Sequence, residues 1–163
     1  MKQLAARIGK RLKAARAMLV TAESCTGGWV AQAVTAVAGS SDWFERGFVT
    51  YSNDAKRELL GVRADTLARH GAASEEAARE MASGALRQSK GSLSVAVTGI
   101  AGPGGGSPAK PVGTVCFAWE RKNGPRHTET RRFAGNRESV RKQSVIHALK
   151  GVLKLLDEDR AQS

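Results

Sequence analysis

Cysteine and histidine are scarce in this chain, and no stretch of it stays apolar for long. Cys25 and Cys116 are the two cysteines and neither lies in a CxxC pair, so there is no disulfide framework and no thiolate zinc motif; both thiols are expected to be reduced. His70, His127 and His147 lie far apart, and none belongs to an HxxxH or HExxH spacing that would set two ligands on one helix face. A metal is therefore not expected. No run approaches the roughly 18 to 20 apolar residues that span a bilayer, and the opening MKQLAARIGKRLKAAR reads as an amphipathic helix rather than a secretory signal. A cytoplasmic protein without a membrane partner is expected. The one Tyr, three Trp and four Phe are not interleaved with the basic stretches, which argues against a platform for stacking single-stranded nucleic acid.

The chain has enough apolar content, 41% over 163 residues, to build one domain around its own core. Its formal charge of +11 suits nucleic acid, anionic membranes or phosphorylated small molecules alike. The basic residues are dispersed, as on solvated faces, and no DNA-binding motif is recognised. A basic nucleic-acid-associated module without catalysis is the alternative reading, and no specific nucleic acid is expected as partner.

Leu4, Ile8, Leu12 and Ala15 recur at helical spacing and predict a first helix over residues 2–16. The apolar run 18–22 then predicts a buried strand, and Glu23-Ser24-Cys25-Thr26-Gly27-Gly28 a small-residue turn feeding a helix to about residue 37. A strand over 48–51 and a helix over 55–60 follow, with Ser52, Asn53 and Asp54 as cap candidates. The Ala-, Glu- and Leu-rich segment 74–90 predicts a long helix, and 93–98 a continuous apolar strand. Residues 99–111 hold five glycines and three prolines and are expected to be a loop that wraps a ligand. Segments 112–119 and 127–133 flank an Asn-Gly pair and predict an antiparallel hairpin. Asn136 is a cap candidate for a last helix to about 156, leaving a polar, frayed tail over 157–163. Strand–helix alternation followed by a hairpin predicts an α/β fold with a mixed sheet between helical layers, one domain over residues 1–156.

Several familiar motifs are absent. The glycine loop has no Gly-Lys-Ser/Thr after its glycines, and it lacks the GxGxxG spacing of a dinucleotide site, so neither an NTPase nor a Rossmann cofactor site is expected. Ser107 with Lys110, and Ser139 with Lys142, match SxxK by letter only. Two features do carry chemistry. The turn 23–28, at a strand-to-helix junction, is expected to expose N–H groups that suit an anion. Ser40-Ser41, Tyr51 and Lys56 supply residue types for a nucleophile, a relay and a base without histidine. The order also suggests a short-chain dehydrogenase, but the lysine follows the tyrosine by five positions rather than four and the nucleotide fingerprint is missing.

The segments TAESCTGGWVA (21–31), AGSSDWFERGFVTYSNDAK (38–56), HGAASEEAAREMA (70–82), VTGIAGPGGG (97–106) and KPVGTVCFAW (110–119) resemble the CinA C-terminal domain, the nicotinamide-nucleotide amidase family. The resemblance covers nearly the whole chain and looks like the stand-alone form, without the molybdopterin-binding-like domain of larger members. It implies a three-layer α/β/α fold, self-association with a dimer favoured, no cofactor, and deamidation of nicotinamide mononucleotide to nicotinate mononucleotide and ammonia in pyridine nucleotide recycling. Position by position it points to Ser24, Ser41, Tyr51, Lys56, Thr98 and Arg137, the last in a GNR that family members often carry as GDR. Ser41 is expected to be the nucleophile, Lys56 the base and Tyr51 the relay. Ser24, Thr26, Gly27, Thr98, Gly99 and Arg137 are expected to bind the substrate.

Overall fold

The computed structural model of the chain describes residues 1–162. Its core is a sheet of five strands in the order β2-β1-β3-β4-β5, with β1 Leu19–Glu23, β2 Phe44–Val49, β3 Leu93–Gly99, β4 Thr114–Arg121 and β5 Arg126–Arg132. β1 pairs in parallel with both β2 and β3, while β3–β4 and β4–β5 are antiparallel. This is the mixed sheet expected from strand–helix alternation followed by a hairpin. The three central strands are buried almost throughout and the two edge strands are not, as continuous apolar runs in the middle and charged segments at the margins dictate.

Among the described residues six α-helices cover the two faces: α1 Lys2–Ala14, α2 Trp29–Thr35, α3 Asn53–Leu60, α4 Ala64–His70, α5 Glu75–Arg87 and α6 Arg137–Gln162. Strand alternation sorts the core into two layers. Leu19, Leu93, Val95, Val97, Val115 and Phe117 pack with α1, α2 and α6. Val20, Ala22, Ala96 and Ala118 face the other way, against Leu60, Ala78, Met81, Ala82 and Ala85 of α3 and α5. The fold is thus a three-layer α/β/α sandwich in a single domain.

Ser52 caps α3 through Ala55 N at 3.0 Å, and Asn136 accepts from Ser139 N at 2.9 Å as α6 begins. Three expectations shift. β2 begins at Phe44, four residues earlier than expected, and ends before Tyr51. α4 has no counterpart among the expected elements. In place of a frayed tail, α6 continues to Gln162, with Asp157 and Asp159 paired to Arg11 and Arg121 at 2.7 and 2.9 Å. These ion pairs run to α1 and β4, so the segment has partners that its polar composition alone does not reveal.

Candidate active site

At the end of β1 the chain must leave the sheet within a few residues. Gly27 and Gly28 do this with φ of 59° and 100°, a region that side chains with a Cβ adopt only at a cost. The neighbouring backbone is pinned on both sides: Thr50 N donates to Glu23 O at 2.8 Å, and Ser24 N to Val97 O at 2.9 Å. Ser24 is nearly buried at the C-terminal end of the parallel strands, where α/β sheets commonly place their ligands.

Lys56, in the first turn of α3, is 1% exposed and among the largest fully buried side chains. Its Nζ lies 2.9 Å from Ser24 Oγ and donates to Tyr51 O at 3.1 Å. Burial pushes its pKa below the ordinary lysine value, with the neighbouring Cys25 opposing the shift. A neutral amine held on a hydroxyl can accept its proton and so activate the oxygen. The adjacent Cys25 offers no competing nucleophile. Its thiol is buried and pushed up to about 12, chiefly by desolvation, so it stays protonated at neutral pH.

The pair opens into a cleft of about 270 Å³, near the low end of small-molecule sites. Tyr51, Asn53, Thr98, Arg137 and the glycine loop from Gly99 to Gly105 complete its walls. Besides the buried amine of Lys56, Arg137 brings a fixed positive charge to this lining and no carboxylate is among its residues, so the cleft favours an anion. Arg137 donates to Gly102 O at 2.8 Å and Tyr51 Oη at 3.2 Å, using two of five N–H donors. A wider groove between α1 and the end of α6 is lined by Lys10, Arg11, Arg121, Leu156 and Asp159, with Arg11 paired to Asp157 and Arg121 to Asp159, and it offers no nucleophile.

Ser24, Tyr51, Lys56, Thr98, Gly99 and Arg137 therefore meet in one cleft. Ser41 does not join them. It lies exposed in a 3-10 turn before β2, whereas Tyr51 and Lys56 follow that strand. Six strand residues, on the order of 20 Å, separate the two ends. Tyr51 reaches Lys56 through its carbonyl, while its phenol oxygen accepts from Arg137, so no phenol relay links serine to lysine.

Thr26 is fully buried, with its hydroxyl donated to Glu23 Oε1 at 2.6 Å, and Gly27 lies outside the cleft lining beside Arg141. Nor are the first N–H groups of α2 open to an anion: Val30 N and Ala31 N donate to Glu23 at 2.8 and 3.0 Å. An internal carboxylate fills the position expected for a ligand. Thr98 lines the cleft but gives its hydroxyl hydrogen to Ala72 O at 2.9 Å, leaving acceptor capacity.

Three participants escaped the sequence reading. Asn53 lines the cleft one residue beyond the Ser52 cap; Glu23 is buried beneath the turn; Arg141 of α6 donates to Cys25 O and Thr26 O at 3.1 and 3.2 Å, over the Trp29 ring. An acid immediately before the turn was visible as a letter, but its inward direction depends on the alternation of β1. Among the described residues no group of three or more His, Cys, Asp or Glu is placed to hold a metal, and no helix is long and apolar enough to cross a membrane.

Fold and cleft together define a class: three-layer α/β/α domains with a buried serine–lysine pair at the carboxyl ends of parallel strands. Within it, residues 1–156 match the CinA C-terminal domain, and the chain belongs to that family. It is 54% identical over 147 residues to the nicotinamide-nucleotide amidohydrolase PncC of Escherichia coli K12, covering 90% of this chain and 89% of that one. To PncC of Pseudomonas putida it is 52% identical over 153 residues, 93% and 94% of the two chains. The crystal structure of the competence/damage inducible protein CihA from Agrobacterium tumefaciens superposes with a TM-score of 0.92 at 48% identity, over 96% and 94%.

Proposed function

We propose that this chain hydrolyses the carboxamide of nicotinamide mononucleotide to nicotinate mononucleotide and ammonia, within pyridine nucleotide recycling. The observation that carries the mechanism is the 2.9 Å approach of buried Lys56 Nζ to Ser24 Oγ in a cleft that holds the Arg137 guanidinium and no carboxylate. Neutral Lys56 takes the Ser24 proton as Oγ bonds to the amide carbon, and the negative charge passes to the amide oxygen. Collapse breaks the C–N bond while the Lys56 ammonium protonates the departing nitrogen, releasing ammonia and leaving an acyl ester on Ser24. Water, deprotonated by Lys56, attacks that ester, and the proton returns to Ser24 as the carboxylate leaves. Arg137 and the glycine loop receive the phosphate, and Asn53 and Thr98 steady the ring and ribose. Ser41 takes no part in this scheme. The working form is proposed to be a homodimer, with the exposed large apolar side chains of Val49, Tyr51 and Leu59 in the contact surface.

Ammonia release from nicotinamide, its riboside and its mononucleotide tests the substrate. Turnover is expected with the mononucleotide. Arg137→Ala should raise its KM about 10-fold or more, since a charge-assisted contact contributes about 1.5 to 3 kcal/mol, and leave the riboside KM unchanged. Equal effects on both would remove Arg137 from phosphate binding, and no ammonia from any of the three would overturn the proposed reaction.

A further inference from the structure

We propose that Glu23 is a positioning residue for the Ser24–Lys56 reaction: its carboxylate braces the turn that aims Ser24 at the lysine. The inference rests on the serine–lysine reading above. Glu23 is the last residue of β1 and 1% exposed, where an unpaired carboxylate would be costly. It is fully engaged instead, accepting from Thr26 Oγ1, Val30 N and Ala31 N at 2.6, 2.8 and 3.0 Å. These donors sit on the turn after Ser24 and the first turn of α2, so one side chain ties both ends of the connection to the strand. A seven-residue helix propagates too little to fix that connection by itself.

Alternation along the strand gives the brace its direction. Leu19 packs with the α1, α2 and α6 layer, while Val20 and Ala22 face α3 and α5. Glu23 follows the first set, toward α2, and Ser24 the second, toward Lys56 on α3. The carboxylate thus pulls the chain from the opposite face of the strand and keeps the hydroxyl over the amine. A glutamine side chain in its place could not reproduce this, because one of its terminal atoms is an NH₂ that would confront a backbone N–H donor.

The charged and titratable groups around the pair are Glu23, the neutral Cys25 thiol, Arg141 on the turn carbonyls and Arg137 across the cleft. Loosening the turn takes the Ser24 Oγ acceptor away from the Lys56 ammonium and so disfavours the protonated form, which should move the acid limb of kcat to lower pH. A purely structural role would leave that limb where it is.

Glu23→Gln, Thr26→Val and Lys56→Gln should be compared in one ammonia-release assay for kcat, KM and pH profile, with thermal unfolding recorded alongside. For Glu23→Gln the expected result is a kcat at least about 10-fold lower, KM within about 3-fold, and an acid limb at lower pH. Thr26→Val keeps the charge but removes one donor; a several-fold lower kcat at unchanged KM is expected, and it decides the matter if the glutamine variant does not fold. Wild-type kcat in Thr26→Val, or wild-type kcat and an unmoved limb in folded Glu23→Gln, overturns the inference while Lys56→Gln is inactive. Turnover by Lys56→Gln would instead defeat the serine–lysine reading itself.

Discussion

A buried lysine with a serine hydroxyl 2.9 Å from its Nζ is an uncommon residue, and in the proposed mechanism its protonation state sets the pH at which the cleft can work. Burial depresses the Lys56 pKa, so the ammonium persists below that depressed value and the free amine forms as pH rises through it. The proposed mechanism requires the amine. The kcat of ammonia release should therefore increase with pH along an acid limb lying below the ordinary lysine value of roughly 10.4, and Lys56→Gln should abolish both the turnover and the limb. A flat kcat from acid to alkaline pH would remove Lys56 as the base. At this scale the structure places Lys56 and Tyr51 in the cleft, where the sequence reading expected catalytic residues, but it sets Ser24 rather than Ser41 against the lysine. Separation along the chain gave no warning, because Ser41 and Lys56 are near in sequence and lie at opposite ends of β2, while Ser24 is remote in sequence and 2.9 Å away.

That difference in geometry belongs to an element. Phe44–Val49 carries Glu45, Arg46 and Gly47, which look unlike a buried strand, yet an edge strand tolerates charge on its exposed side and is protected by it from pairing with other sheets. Starting the strand at 48 placed Ser41 in a loop free to approach Lys56; starting it at Phe44 anchors Ser41 at the far end. The short helix α4 was missed for a related reason, since seven residues give too little periodicity to stand out. The central strands and the long helices, with continuous apolar runs or clear helical spacing, were legible. The placement of Lys56 depends in turn on how α3 sits on α5. Gly84 of α5 lies against the end of α3 so closely that a Cβ there would stand 1.9 Å from Leu60 O. Gly84→Ala should displace α3, lower Tm by several degrees and reduce kcat about 10-fold or more without altering any cleft residue. An alanine variant with unchanged Tm and kcat would show that the contact yields freely.

Across the whole molecule, 26 lysines and arginines against 15 acids give an excess of +11. Its sign was legible from composition, but its use was not. The cleft lining, with the Arg137 guanidinium and no carboxylate, relates that charge to the anionic substrate proposed above. The proposed mechanism puts the acyl group on Ser24 and not on Ser41. Its most direct test is kcat for nicotinamide mononucleotide measured on Ser24→Ala and Ser41→Ala, with substrate affinity determined separately for each. Ser24→Ala should lose at least about 10³ in kcat while still binding, and Ser41→Ala should stay within about 3-fold of the parent. Retained turnover in Ser24→Ala together with its loss in Ser41→Ala would contradict the claim.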